Sequence, residues 1–268
     1  MSDAPTDSLS DRAYHYVQKK LLAGEWTAGD VLSELAVAKE MGISRTPVRE
    51  AFRMLEQEGV LEQVPRFGTR VKALDRRDLV ELYELREALE PYAVSQAAGK
   101  LSEADAHMLD TLCREMKSVA EELRRKGKTV PDAAMMKRLL SADLAFHQLL
   151  IRAAGNRRMM KIVADSRLLA RIFATPRQEH DLTIIEETHR YHIQILDAVN
   201  AGKGEVARTL MAEHIRASMK ESLDHYDQQR AAAEADAVPL DLPDDMMSEY
   251  QRMERNARPR KPQKPRAA

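Results

Sequence analysis

From Leu9 onward, apolar or aromatic side chains return at Ala13, Tyr16, Val17 and Leu21, the period of a helix with one buried face. Gly24 and Gly29 stop it. A second, short helix is predicted over about Ser33 to Met41, with Ser33 as its N-cap and Gly42 as its C-terminal stop. Ile43 and Ser44 make a turn. A third helix runs from near Arg45 to Gly59, with Pro47 tolerated in its first turn. Val48, Ala51, Phe52 and Leu55 fall at i, i+3, i+4 and i+7 and form its buried stripe. Then the period changes. Val60-Leu61 and Thr69-Arg70-Val71 flank Pro65-Arg66-Phe67-Gly68, which reads as two short strands joined by a glycine-containing turn. Three helices and a hairpin within about 70 residues are the layout of a winged helix-turn-helix.

Asp75 to Arg77 is a charged joint, and beyond it almost everything to about Tyr226 carries the helical period. Leu79, Leu82, Tyr83, Leu85, Leu89, Tyr92 and Ala93 are expected on one broad apolar face. Ser102 caps a helix bearing Leu109, Leu112, Met116 and Val119, which Lys126 to Pro131 breaks. Further helices are expected over Leu139 to Ile151, closed near Gly155-Asn156, and over Met159 to Phe173, ending by Pro176. Two more follow over about Thr183 to Ala201 and Gly204 to Tyr226. Six or seven helices with short loops make an antiparallel bundle. The fold class is therefore mainly α, with a winged helix-turn-helix over residues 1–74 and an all-helical bundle over 75–230.

Residues 231–268 differ. Arg252, Arg255, Arg258, Arg260, Lys261, Lys264 and Arg266 face one acid, Glu254, and Pro259, Pro262 and Pro265 forbid a helix there. This reads as a disordered basic tail, either solubilising or an accessory contact to DNA.

Composition narrows the function. Lys plus Arg is 42 and Asp plus Glu is 43 in 268 residues, so the chain does not coat nucleic acid by bulk charge. Aromatics at 4% and only 10 glycines argue against a β-sandwich or a doubly wound dinucleotide fold. The one cysteine, Cys113, excludes an internal disulfide framework and a cysteine-rich zinc finger. Met1 to Ser10 is polar and acidic, unlike a secretory signal, and no run approaches a membrane span. The expectation is a soluble cytoplasmic protein without a membrane partner.

One row of charge is placed for recognition. Arg45, Thr46, Arg49 and Arg53 share a face of the third helix, about 100° from the buried stripe. An arginine fork matches guanine O6 and N7, or a phosphate, bidentately. Arg66, Gly68 and Arg70 on the wing could reach phosphates or the minor groove. The bland alternative is an ordinary solvated face. The string Gly42-Ile43-Ser44-Arg45-Thr46-Pro47-Val48-Arg49-Glu50-Ala51, followed by Leu55-Glu56 and Gly59-Val60, closely resembles the DNA-binding signature of GntR-family bacterial transcription regulators. The resemblance covers about residues 9–73. It implies a homodimer on a roughly palindromic double-stranded operator, with Arg45, Thr46, Arg49 and Gly68 as DNA contacts. One departure stands out: in Ser33-Glu34-Leu35-Ala36, Leu35 occupies a position where the family usually has arginine.

A second constellation lies in the helical half. Asp143 and His147 are at i and i+4, so a carboxylate and an imidazole stand one above the other. His192 has Ile195, Leu196 and Val199 at +3, +4 and +7, and His214 has Leu210, Met211 and Ala217 at −4, −3 and +3, so both face inward. Three inward histidines and an aspartate are costly to bury unless paired or ligated. As a set they suit Zn²⁺, Ni²⁺, Mn²⁺ or Fe²⁺. The alternative is that each is hydrogen-bonded separately in the core. Asp143-x-x-Phe146-His147, Asn156, His192-x-x-Ile195-x-x-Ala198 and His214 resemble the FCD effector domain of the FadR-type branch, over about residues 78–227. That resemblance implies that Asp143, His147, His192 and His214 bind a divalent metal. His189, one turn earlier, is read as outer-shell or surface. Arg86, in a run resembling that domain's opening helix, could bind an effector carboxylate or form a salt bridge to Glu90.

The expected function is a transcription regulator, by default a repressor, whose bundle binds a metal and a small organic-acid effector. Two rivals remain. One is a metalloenzyme using the Asp/His/His/His set, though no general base stands beside it. The other is a regulator whose site is structural or metal-free and whose effector is different, such as a fatty-acyl group.

Overall fold

A computed structural model describes residues 8–65, 68–163, 166, 181–236 and 246. The order is α1 (Leu9–Ala23), β1 (Val31–Leu32), α2 (Glu34–Met41), α3 (Arg45–Gln57), β2 (Leu61–Val64), β3 (Gly68–Val71), α4 (Arg76–Ala97), α5 (Glu103–Arg125) and α6 (Ala133–Ala153). The last two elements are α7 (Leu182–Asn200) and α8 (Gly204–Asp236). Residues 157–163 are also helical. The expected Phe173 and Pro176 boundary lies outside the described residues.

Local chemistry accounts for the N-terminal helices. Ser33 Oγ accepts from the Ala36 amide at the start of α2, and Gly42 closes that helix at φ 67°, a conformation costly for any residue with a Cβ. Val48, Ala51, Phe52 and Leu55 of α3 are all at most 1% exposed and pack with Ala13, Val17 and Leu21 of α1. The wing is larger than the hairpin expected. β3 pairs antiparallel with β2, Leu61 opposite Val71 and Val64 opposite Gly68, and also with β1, Val31 opposite Arg70. The strand order is β1-β3-β2.

The bundle follows after the short link Lys72–Leu74. Asp75 caps α4 in a capping box with Asp78, so the expected charged joint is the first turn of a helix. Across it Lys72 Nζ lies 3.3 Å from Asp78 Oδ1. The predicted apolar face of α4 needs correction. Leu85 and Tyr92 are 39% and 47% exposed, whereas Leu79, Tyr83, Arg86, Glu90, Ala93, Val94 and Ala97 are buried. The inward stripe keeps the helical period, but it contains two charged residues, Arg86 and Glu90, that counting apolar positions did not include. α6 begins at Ala133, six residues before the expected Leu139, because Asp132 caps it by accepting from the Ala134 and Met135 amides. Leu109, Cys113, Met116 and Val119 of α5 pack against Met136, Leu139 and Phe146 of α6 and Ile195 and Val199 of α7. Burial pushes the Cys113 thiol up to about 12, so it is neutral.

By internal contacts the chain divides into residues 1–226 and 227–268. α8 runs to Asp236, so residues 231–236 of the expected disordered tail are helical instead. The Gln-Gln-Arg-Ala-Ala-Ala-Glu-Ala run there is made of strong helix formers. The proline-rich stretch with Arg252 to Arg266 lies outside the described residues.

Candidate functional site

The first candidate surface is built on α2 and α3. With the Val48 stripe turned inward, Arg45, Thr46, Arg49 and Arg53 are left exposed, as their spacing required. Arg45 and Arg49 stand one turn apart and converge on a single carboxylate. Arg45 Nη2 lies 3.1 Å and Arg49 Nε 3.4 Å from Oε2 of Glu34, the first residue of α2. The same tether recurs on the wing, where Arg70 Nε donates to Glu62 Oε1 at 2.6 Å. Gly68 opens β3 at φ 85°, and Arg66 lies outside the described residues. Leu35 is 61% exposed beside Glu34. Sequence reasoning found the arginine row but not its counterion. Glu34 is 11 and 15 residues from its partners, and no spacing rule links separate helices.

The second candidate site brings together all four residues singled out in the bundle. Asp143 and His147 come from α6, His192 from α7 and His214 from α8. His147, His192 and His214 are buried, while the Asp143 side chain is 27% exposed. Asp143 Oδ1 lies 3.6 Å from His147 Nε2 and 3.5 Å from His192 Nε2, and the His192 and His214 Nε2 atoms are 3.1 Å apart. One ligand atom from each of the four lies within 4.8 Å of the others. Ligands held about 2.0–2.2 Å from one ion sit roughly 3–3.5 Å from their neighbours, so these spacings suit a common centre.

Hydrogen bonding around His147 points the same way. Its Nδ1 lies 2.6 Å from Glu90 Oε2. A carboxylate only accepts, so Nδ1 donates, and in the neutral ring that leaves the lone pair on Nε2. That Nε2 is buried, has no hydrogen-bond partner among the described residues and faces the Asp143 carboxylate. An unpaired buried acceptor is costly, and a cation at the centre would satisfy it. A carboxylate orienting a metal-binding imidazole is a recurrent arrangement. The donor set, three imidazoles and one carboxylate, therefore fits a divalent transition metal. Phe146 lies flat on the His192 ring, with centroids 4.2 Å apart and planes 4° apart, and fixes its orientation.

Glu90 is fully buried; the sequence offered it as a salt-bridge partner of Arg86 but not as a partner of the histidines. Its second oxygen accepts from Arg86 Nε at 2.8 Å, which realises the salt bridge weighed for that arginine. Burial works against the Arg86 charge, but Glu90, Tyr83 and Asp143 outweigh it and hold the guanidinium above its ordinary value. The Arg86 guanidinium also lies over the Tyr83 ring, 4.8 Å from its centroid. Tyr83 Oη and Ser222 Oγ are 2.7 Å apart, and Arg216 Nε donates to Glu87 at 2.8 Å, so α4 is tied to the helix carrying His214. Glu221, two turns beyond His214, is pushed up to about 7 by burial, with Asp181, Glu187 and Asp143 adding to the shift. His189 is half-buried and is not one of the four clustered residues.

Comparison with known proteins agrees with both halves. Residues 9–71 match the family described as bacterial regulatory proteins, gntR family, and residues 81–217 match the FCD domain. The chain is 29% identical over 214 residues to the probable D-xylose utilization operon transcriptional repressor of Paenarthrobacter nicotinovorans, covering 78% of this chain and 87% of that one. It is 26% identical over 196 residues to the gluconate operon transcriptional repressor of Bacillus subtilis, covering 70% and 76%. Among solved structures, McbR/YncC from E. coli has the same fold, with a TM-score of 0.70 at 20% identity, over 82% of this chain and 100% of that one.

Proposed function

The chain belongs to the gntR family of bacterial regulatory proteins, with an FCD domain as its helical half, and from that membership we propose a repressor whose operator affinity is set by a metal-centred effector site. It is a DNA-binding transcription regulator and not an enzyme. Repression is the sign we infer, and two relatives bear the name repressor. Arg45, Thr46, Arg49 and Arg53 would meet base edges and phosphates in the major groove, with Arg66 and Gly68 at the wing. A homodimer would place two such surfaces on half-sites about 34–36 Å apart. The protein would work in the cytoplasm, where its operator is. No helix among the described residues is long and apolar enough to cross a membrane.

The observation that carries the sensor reading is His147, with Nδ1 held by Glu90 and Nε2 facing Asp143 without a hydrogen-bond partner among the described residues. Asp143, His147, His192 and His214 would hold the divalent ion, whether Zn²⁺, Ni²⁺ or Mn²⁺. An ion with positions left open would supply Lewis-acid affinity for the carboxylate of a small organic acid. Arg86, through donors that Glu90 does not take, would meet the same acid. α4 begins just after the wing and carries Glu90 some four turns on, so a shift at the centre has a rigid route toward the DNA-reading half.

The test is operator binding by metal-loaded protein, using a duplex selected from a random pool, with and without a panel of small carboxylic acids. The gluconate operon of one relative makes sugar acids the first panel. One acid is expected to weaken operator affinity by about 5- to 150-fold. His214→Ala should abolish that response while leaving DNA binding by metal-free protein intact. No response to any acid, or an undiminished response in His214→Ala, would refute the sensor reading. Conversion of the acid to a product would favour an enzyme instead.

A further inference from the structure

Glu34 presents a negative charge on the surface that is to meet a polyanion. Its Oε2 is shared by Arg45 Nη2 at 3.1 Å and Arg49 Nε at 3.4 Å, and its side chain is 21% exposed against 54% and 51% for the two arginines. We infer that Glu34 is a positioning residue that sets how strongly the protein discriminates its operator from unrelated DNA. This rests on the proposed assignment of Arg45 and Arg49 to the operator.

Two guanidiniums one turn apart repel each other and, untethered, sample many rotamers. A shared carboxylate removes the repulsion and fixes both stems. A guanidinium has five N–H donors, so engaging one leaves four. Arg49 gives up Nε, which leaves its terminal Nη pair, the fork that matches guanine O6 and N7. On the correct sequence both arginines can keep Glu34 and take up base edges together. On unrelated DNA the available partners are phosphates. To reach them the arginines must leave Glu34, or Glu34 must approach the phosphates with them, and either costs binding. Glu34 therefore penalises backbone-only binding more than operator binding, which is how a repulsive element creates specificity. The wing pair Arg70–Glu62 differs, because it tethers one arginine on a β-hairpin and aligns no second fork.

The experiment compares Glu34→Gln with wild type on the selected operator duplex and on a random-sequence duplex of equal length, over a range of salt. Glutamine keeps the length and an acceptor but not the charge. Random-duplex affinity is expected to rise several-fold, with a salt dependence steeper by about one released counterion. Operator affinity should gain less, so the specificity ratio falls by up to several-fold. Glu62→Gln should raise both affinities by similar factors. In an Arg45→Ala/Arg49→Ala background, Glu34→Gln should leave the ratio unchanged, because its action passes through those side chains. An unchanged ratio in Glu34→Gln alone, with both affinities shifting equally, would overturn the inference. Arg49→Ala separates the two possible failures. If it leaves operator affinity intact, the assignment of the arginines falls. If it weakens the operator while Glu34→Gln spares the ratio, only the role of Glu34 falls.

Discussion

Glu90→Ala is expected to lower unfolding stability by about 3–5 kcal/mol, the usual cost of leaving one member of a buried ion pair without its partner. Arg86 is 5% exposed and cannot turn to water in place, so its charge would stay in the core with one counterion removed. In a domain of this size the loss corresponds to a thermal midpoint lower by roughly 6–20 °C. Glu90→Gln separates stability from site chemistry. The amide keeps the shape but has one acceptor and one donor end, and it must offer the donor either to Arg86, which cannot accept, or to His147 Nδ1. Facing His147, it would force the tautomer with hydrogen on Nε2 and remove the lone pair from the centre. Metal affinity should then fall about 10- to 100-fold, as when other carboxylate partners of ligating histidines are lost. Thermal unfolding and metal titration of both variants check this. Wild-type stability and affinity in both would contradict the role given to Glu90.

Arg45→Ala/Arg49→Ala is expected to cost about 10- to 100-fold in operator affinity per arginine, and so to leave little beyond non-specific binding. Both side chains are more than half exposed, and the α3 core beneath them is made by Val48, Ala51, Phe52 and Leu55. Folding should therefore be unaffected. Fluorescence anisotropy with the selected duplex, beside a thermal melt, reads both. A loss equal on operator and random duplex would make the pair phosphate contacts rather than sequence readers.

What the sequence disclosed follows the range of the forces involved. α1 to α3 were legible because their ends are set within a few residues: Ser33 caps, Gly42 turns, and Val48 to Leu55 keep one period. The four-residue centre was legible because each member lies on a strongly periodic helix, and periodicity fixes the inward face. β1 was not, since two residues carry no pattern and its partner, β3, is nearly 40 residues away. The face of α4 was misassigned for a related reason. Counting apolar positions placed Leu85 and Tyr92 inside, whereas Arg86 and Glu90 occupy the core by satisfying each other and His147. Glu34 stayed invisible in the same way. A partner on another helix is a tertiary fact, as Glu34 is for Arg45 and Arg49 and Glu90 for His147, whereas the Arg86–Glu90 pair lies at i,i+4 on one helix and was readable.

The proposal stands or falls on whether the bundle holds a metal. The direct measurement is metal content of protein purified without a His-tag, chelator or added metal, for wild type and for Asp143→Ala/His192→Ala. The account predicts about one divalent ion per wild-type chain and none in the variant, because the variant keeps two imidazoles of a four-ligand set. A wild-type protein that carries no metal, even after dialysis against Zn²⁺, Ni²⁺ or Mn²⁺, would contradict it and return Asp143, His147, His192 and His214 to hydrogen bonding in the core.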